Sequence, residues 1–389
     1  MFLIRAFLNL NIINIVVTLF YLHRGLTLSQ IFYLSIVWSV AMLLFEVPSS
    51  YLADKWGRKK IIILGVILNL AHLLVYIFAN NIVIFIISII FMAMSYAAFS
   101  GTDDALIYDT NKELKRSKDS LKELGKYYSA RSFFKIVTPL IGAIVAYQLL
   151  EWQFVSLIIL DLLFTFSTLI IALRLVEPNH IIDVVKQEAG IIKDAYKVIR
   201  NNKCFVRAIF SRMLLFIASF ILWRFHQKFF IDIGVPIIIL GAMWSLTHLA
   251  LFLINQNIKK ILPKKSSVFK INWLNFLTFL SLFVMVILVF YYQNIYLLLI
   301  VYFLANIFEV IRWSYFSDYF NKMSFSYNRA TTLSLSNFLK SILDIPLLFI
   351  ASILIDNNIN YPFVLALILS FIVVVFFRVK NINRSSEAK

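Results

Sequence analysis

The chain has 389 residues, of which 61% are hydrophobic and only 15% charged, and it carries a net charge of +17. A soluble domain of ordinary composition is about 45–50% apolar and about 25% charged. These values exclude a soluble enzyme, a disordered regulator and a nucleic-acid-binding domain, and they predict an all-α integral membrane protein.

A membrane-crossing helix needs about 20 mostly apolar residues, so twelve would take up roughly 240. That leaves short connections and no room for a large extramembrane domain. In chain order, the apolar runs predict spans at 4–22, 29–52, 61–79, 82–109, 127–147, 154–175, 205–231, 236–258, 268–291, 295–320, 330–354 and 362–379. The first run has Arg5 near its start, no small-residue cleavage site and many spans behind it, so it is expected to be the first helix and not a signal peptide. Cys204 is the single cysteine, which excludes an intramolecular disulfide and a multi-cysteine metal site.

Charge sets the expected orientation. With both termini inside, the inner connections collect Lys and Arg: four in 53–60 (Lys55, Arg58, Lys59, Lys60), six in 110–126, five in 176–203 and four in 259–267. The outer side holds Arg24 and Lys228. This bias is the positive-inside pattern of a multi-pass protein with cytoplasmic termini. The longest connection, 176–203, places Ile191, Ile192, Ala195, Tyr196 and Ile199 at helical spacing beside Lys193, Lys197 and Arg200. It is expected to lie on the inner membrane surface as an amphipathic helix. It divides the chain into a six-helix bundle over 1–175 and a second over 204–389, the plan of a two-fold pseudo-symmetric transporter.

The most specific segment is the sharp cytoplasmic turn between spans two and three, Glu46-Val-Pro-Ser-Ser-Tyr-Leu-Ala-Asp-Lys-Trp-Gly-Arg-Lys-Lys60. Gly57 permits the tight reversal, and consecutive cations hold the loop inside. The segment resembles the signature loop of the major facilitator superfamily, G-x-L-A-D-R-x-G-R-K, with Leu52, Ala53, Asp54, Gly57, Arg58 and Lys59 matching and Ser50 and Lys55 departing. The resemblance implies twelve transmembrane helices in two pseudo-symmetric six-helix bundles. It also implies a cytoplasmic gate, in which Asp54 meets Arg329 and the start of span eleven, with Glu46 bracing the loop. A carboxylate is favoured at a helix N-terminus. The matching loop of the second half, 255–265, keeps its positive charge but has no Asp or Gly, so the gate is expected to be asymmetric. Glu46-Val-Pro-Ser together with Ser100-Gly-Thr-Asp-Asp-Ala-Leu-Ile-Tyr-Asp109 is similar to a bacterial branch of drug and metabolite exporters.

Charges inside spans point to a transport pathway, because each costs about 2.5–3.5 kcal/mol at the bilayer centre on insertion scales. The proton-coupling candidates are Asp103, Asp104, Glu309 and Asp344. The substrate-cavity candidates are Asn11, Asn14, Arg131, Lys135, Arg224, Arg312 and Lys340. Pairing is the competing reading for most of them, since buried charges are generally partnered; Lys340 and Asp344, four residues apart, are spaced to form such a pair. Asp109, Asp161, Asp318 and Arg212 are expected to be structural. His72, His226 and His248 have no metal-ligand spacing, and no phosphate-cradling Gly loop is present, so no metal, cofactor or ATP is expected.

The expected function is secondary active transport and not an enzymatic reaction. It is read as proton-coupled export of a small amphipathic or charged molecule by a monomer in a bacterial inner membrane, with lipids as its surroundings. Uptake of an anionic metabolite by proton symport is the alternative, with a lipid flippase or a sensor on the same scaffold as the third.

Overall fold

The computed structural model describes residues 1–8, 10–115, 134–177, 203–257, 265–292, 294–323 and 329–380, and their side chains except at 47, 54, 112, 203, 318, 321–323 and 329–339. The described residues are helical and contain no strand. The helices are α1 Phe2–Leu8, α2 Val17–His23, α3 Leu28–Trp56, α4 Arg58–Phe78, α5 Ile82–Phe99, α6 Thr102–Glu113 and α7 Phe134–Val145. They continue as α8 Glu151–Leu173, α9 Lys203–Asp232, α10 Ile237–Gln256, α11 Ser267–Ile287, α12 Ile295–Met323, α13 Arg329–Asn357 and α14 Tyr361–Val375. Nine helical segments among the described residues are long and apolar enough to cross a membrane, while Phe134–Val145 and Tyr361–Val375 are shorter apolar helices. With Arg329–Asn357, these segments fall on the twelve expected spans; residues 127–133 of the expected fifth span, and 178–202 with the expected amphipathic helix, lie outside the described residues.

Polar caps set several starts. Thr27 and Gln30 form a reciprocal capping box on α3, and Asn81 accepts from the amides of Val83 and Ile84 at the start of α5. Ser266 accepts from the Phe269 amide on α11. Large apolar side chains such as Phe78, Phe276, Phe283 and Phe371 are exposed. In water such a surface would drive association, whereas in a bilayer it is the solvent-matched face.

Among the described residues, two spans are not continuous helices. The first breaks between α1 and a short 3-10 turn, Ile12–Val16, with Asn11 in a left-handed conformation at φ 40°. The fourth breaks between α5 and α6 at Gly101, whose φ of +76° lies where glycine is favoured.

The chain forms two compact units. One is Met1–Ile182 with Gln227–His248, and the other is Asp183–His226 with Leu249–Lys389. In the first, the fully buried Phe20 ring lies 5.0–5.9 Å from the rings of Tyr76, Phe85 and Phe154. Beside it Arg24 donates to the carbonyls of Ala79 and Ile77 and pairs with Glu151, tying off the end of α4. The second unit is centred on Phe205, Ile271, Phe316 and Phe320, all nearly inaccessible.

Candidate functional site

Within the second unit, Glu309, Arg312 and Trp313 stand at i, i+3 and i+4 of α12, so they share one helix face. Arg312 is wholly inaccessible. Its guanidinium donates to Glu309 Oε1, to Asn275 Oδ1 on α11 and to the carbonyls of Ser211 and Arg212 on α9, each at 3.1 Å. Asn275 Nδ2 in turn donates to Ser211 Oγ at 3.0 Å, and Trp313 Nε1 donates to Glu309 Oε1 at 2.8 Å. Three helices are therefore stitched by one cation. Such a network replaces the water both charges have lost, which a buried pair needs in order to persist.

A pocket next to this network is lined by Ile209, Arg212, Met213, Phe216, Trp313, Phe320 and Lys340. The Arg212 guanidinium carbon stands over the Trp313 ring, 4.0 Å from its centre, and 5.5 Å from the centre of Phe320. Lys340 Nζ is 2.6 Å from Asp344 Oδ2 and 4.6 Å from the Phe216 ring centre. The arrangement supplies two cations, an aromatic lining and a buried carboxylate partner. Among the described residues it offers no nucleophile–base pair.

The predicted gate loop lies in the first unit. Gly57, at φ +100°, joins α3 to α4. The amides of Arg58 and Lys59 donate to the two oxygens of Glu177 at 2.8 and 2.6 Å, so a carboxylate caps α4. Arg58 also donates to the Ala105 carbonyl at 2.6 Å and pairs with Asp109. Glu46 accepts from Ser100 Oγ at 3.2 Å, which links the loop segment to the break in span four. Neither the Asp54 nor the Arg329 side chain is among those described, so their expected pairing lies outside the described residues.

The remaining candidates divide between the units. In the first unit Asp103 is buried, accepts from Arg5 at 3.4 Å, and caps the amide of Asp104 at 2.8 Å. Asn11 is the left-handed residue of the first-span break. The Asn14 carbonyl accepts from Gln227 Nε2 at 2.8 Å, while Gln227 Oε1 accepts from the Thr18 amide at 2.8 Å. Lys135 is half-buried on α7, and Arg131 lies outside the described residues. In the second unit Arg224 covers the rings of Phe220 and Trp223.

Sequence reasoning gives three residues no place among the site candidates. Glu177 is visible there only as a carboxylate just after span six. Arg212 falls among the structural charges because it stands near the inner end of its span. Asp161 also reads as structural, and the structure adds what it holds: its oxygens accept from the amides of Ile12 and Ile13 at 2.8 and 3.2 Å, across the first-span break. Gly142 packs against the same break, where a Cβ would stand 2.6 Å from the Ile12 carbonyl oxygen.

The described residues form a multi-pass helical chain with buried ion pairs inside its spans and a basic, glycine-turned loop. The family model of the Major Facilitator Superfamily matches residues 2–346, and the chain belongs to that superfamily. It is 24% identical over 260 residues to YxaM, an uncharacterised MFS-type transporter of Bacillus subtilis (strain 168); the match covers 66% of this chain and 65% of that protein's length. Among solved structures, a point mutant of the nucleoside transporter NupG superposes with a TM-score of 0.76 at 14% identity, covering 97% of this chain and 98% of the other. A bacterial homologue of the human lysosomal transporter Spinster, inward-facing and unoccupied, gives 0.74 at 14% identity over 97% and 94%. A D-xylose–proton symporter gives 0.70 at 12% identity over 98% and 97%. At these identities the likeness defines the fold, the major facilitator fold of twelve helices.

Proposed function

We propose that the protein is a proton-coupled secondary transporter of a small amphipathic or charged molecule, working as a monomer by alternating access between six-helix halves joined through 176–203. The membrane is a bacterial inner membrane, both termini are cytoplasmic, and export is the direction expected from the sequence. One observation carries this reading: two acids held inside the spans, Glu309 and Asp344, each paired with a cation beside the pocket and only 5% and 2% exposed. A carboxylate whose partner can leave is a group able to load and release a proton. Asp103 and Asp104 are the corresponding candidates in the first unit, and Asp54 with Arg329 is the proposed cytoplasmic latch.

A second reading, uptake of an anion by proton symport, is favoured by the Lys340–Asp344 pair. A substrate anion that competes for Lys340 frees Asp344 to take up a proton, so anion and proton would travel together.

Purified protein in liposomes containing a pH-sensitive dye distinguishes the two. A panel of metabolites and drugs is added outside. Substrate-driven alkalinisation of the lumen supports antiport and export, whereas acidification supports symport. A response that survives in Asp103→Asn, Asp104→Asn, Glu309→Gln and Asp344→Asn alike would remove all four acids from coupling.

A further inference from the structure

Gln227, near the carboxyl end of α9, is 1% exposed, and its side-chain amide is inserted into the backbone of the first span. Oε1 accepts from the Thr18 N–H and Nε2 donates to the Asn14 carbonyl, each at 2.8 Å. Asn14 and Thr18 stand four residues apart. In an unbroken α-helix that carbonyl and that N–H would bond to each other. Here the 3-10 turn ends at Val16, whose φ of −125° is not helical, and α2 starts only at Val17. One side-chain amide, donor and acceptor at once, stands where a single backbone hydrogen bond would be. The segment that carries it, Gln227–His248, follows the central connection in the chain yet packs as part of the first compact unit. It is a helical hairpin, with Gly234 at φ +92° between α9 and α10. Its second helix approaches α7 through Gly241, where a Cβ would overlap the Ala143 side chain and stand 2.8 Å from the Pro139 carbonyl oxygen.

We propose that Gln227 is a positioning residue of the transport cycle, an exchangeable peg. It holds the hairpin 227–248 on the first span in this conformation and withdraws when the side carrying Arg24 and Lys228 opens. The inference rests on the alternating-access reading above. Withdrawal strands no backbone group, because the Thr18 N–H and the Asn14 carbonyl are each other's helical partners. Rotation of Val16 into the helical range lets them close. The withdrawn amide meets water at the opened mouth. Both states are therefore hydrogen-bonded throughout, and they differ by about one net bond, which keeps two conformers within reach of one another. The bare Gly241 contact completes the latch, since it joins hairpin and α7 by close packing without any polar group that opening would leave unpaired.

The test is a distance measurement on full-length protein in lipid nanodiscs, which needs neither substrate nor gradient. In a Cys204→Ser background, spin labels are placed on cysteines at Tyr147, just beyond α7, and Ile238, on α10; both positions are exposed. Wild-type protein is expected to show mainly the short distance, with a minor longer one. Gln227→Leu keeps the volume and loses both hydrogen bonds, so it should raise the ratio of long to short about fivefold, the scale of one net hydrogen bond, while melting close to wild type. Gln227→Asn, one methylene too short to reach both partners, should shift the ratio the same way as the milder variant. Gly241→Ala, which leaves Gln227 in place, should also favour the long distance. An unchanged ratio in Gln227→Leu and Gln227→Asn, whatever their melting midpoints, would overturn the proposal and mark Gln227 as a structural tie. If Gly241→Ala alone moves the ratio, the peg falls and alternating access stands. A single short distance in every variant would remove the opening itself, and the alternating-access reading with it.

Discussion

Two buried carboxylates decide much of the residue-scale energetics. Asp161 is 4% exposed and receives two backbone N–H groups that no helix can satisfy, because the first span is broken there. Asp161→Ala strands both donors, each at a cost of about 1–3 kcal/mol. Its thermal unfolding midpoint in detergent should fall well below that of wild type, and Asp161→Asn, which keeps an acceptor oxygen, should fall less. Equal midpoints for alanine and wild type would show that the break is held by something else. Glu309 and Arg312 follow a different rule. Removing either partner leaves a charge in a dry network, at about 3–5 kcal/mol, whereas removing both need not. Glu309→Ala and Arg312→Ala should each be strongly destabilised, and the double variant Glu309→Leu with Arg312→Met should recover most of the loss. The types of these side chains are legible in the sequence: acids and bases inside apolar runs announce themselves by their cost. Their partners are not. The Arg312 contacts reach α9 and α11, 37 to 101 residues away in the chain, and helical spacing along one segment says nothing about which segments meet.

At the scale of elements, the turn from α3 to α4 is the part that sequence describes best. The Gly57–Arg58–Lys59 pattern requires a left-handed glycine and a clustered positive charge, and the φ of +100° at Gly57 meets the first requirement. What spacing cannot reveal is the second role of that glycine. A Cβ there would come within 3.0 Å of the Glu177 carboxylate that caps α4. Gly57→Ala should therefore combine backbone strain of about 1–3 kcal/mol with displacement of the cap. Glu177→Gln weakens only the cap, worth about 1 kcal/mol, so the alanine variant should melt earlier than the glutamine variant; the reverse order would mean that the cap outweighs the turn. Breaks inside spans are the least legible elements. Hydropathy over 4–22 and 82–109 is continuous, and each stretch reads from sequence as one helix. The structure interrupts them at Asn11 and Gly101, where side chains from elsewhere in the chain, or a glycine, make the interruption tolerable.

At the scale of the molecule, the distribution of Lys and Arg predicts the orientation. In a cysteine-free background made by Cys204→Ser, a cysteine at Asn80 or Asn358 should react with an impermeant maleimide added to intact cells. A cysteine at Lys265 should react only after permeabilisation. Labelling of Lys265 from outside would invert the topology. The broken first span also bears on how the protein is made. Backbone amides in hydrocarbon without acceptors cost several kcal/mol each, and the acceptor for Ile12 and Ile13 lies 149 and 148 residues downstream. When the first span leaves the ribosome and enters the translocon, Asp161 has not been synthesised. The nascent span is therefore stable in lipid only as an unbroken helix, and the break can form only when the sixth span arrives beside it. Maturation of the amino-terminal unit is then expected to include a late, intramembrane remodelling of its earliest segment, and chains truncated before residue 161 should insert with that segment still straight.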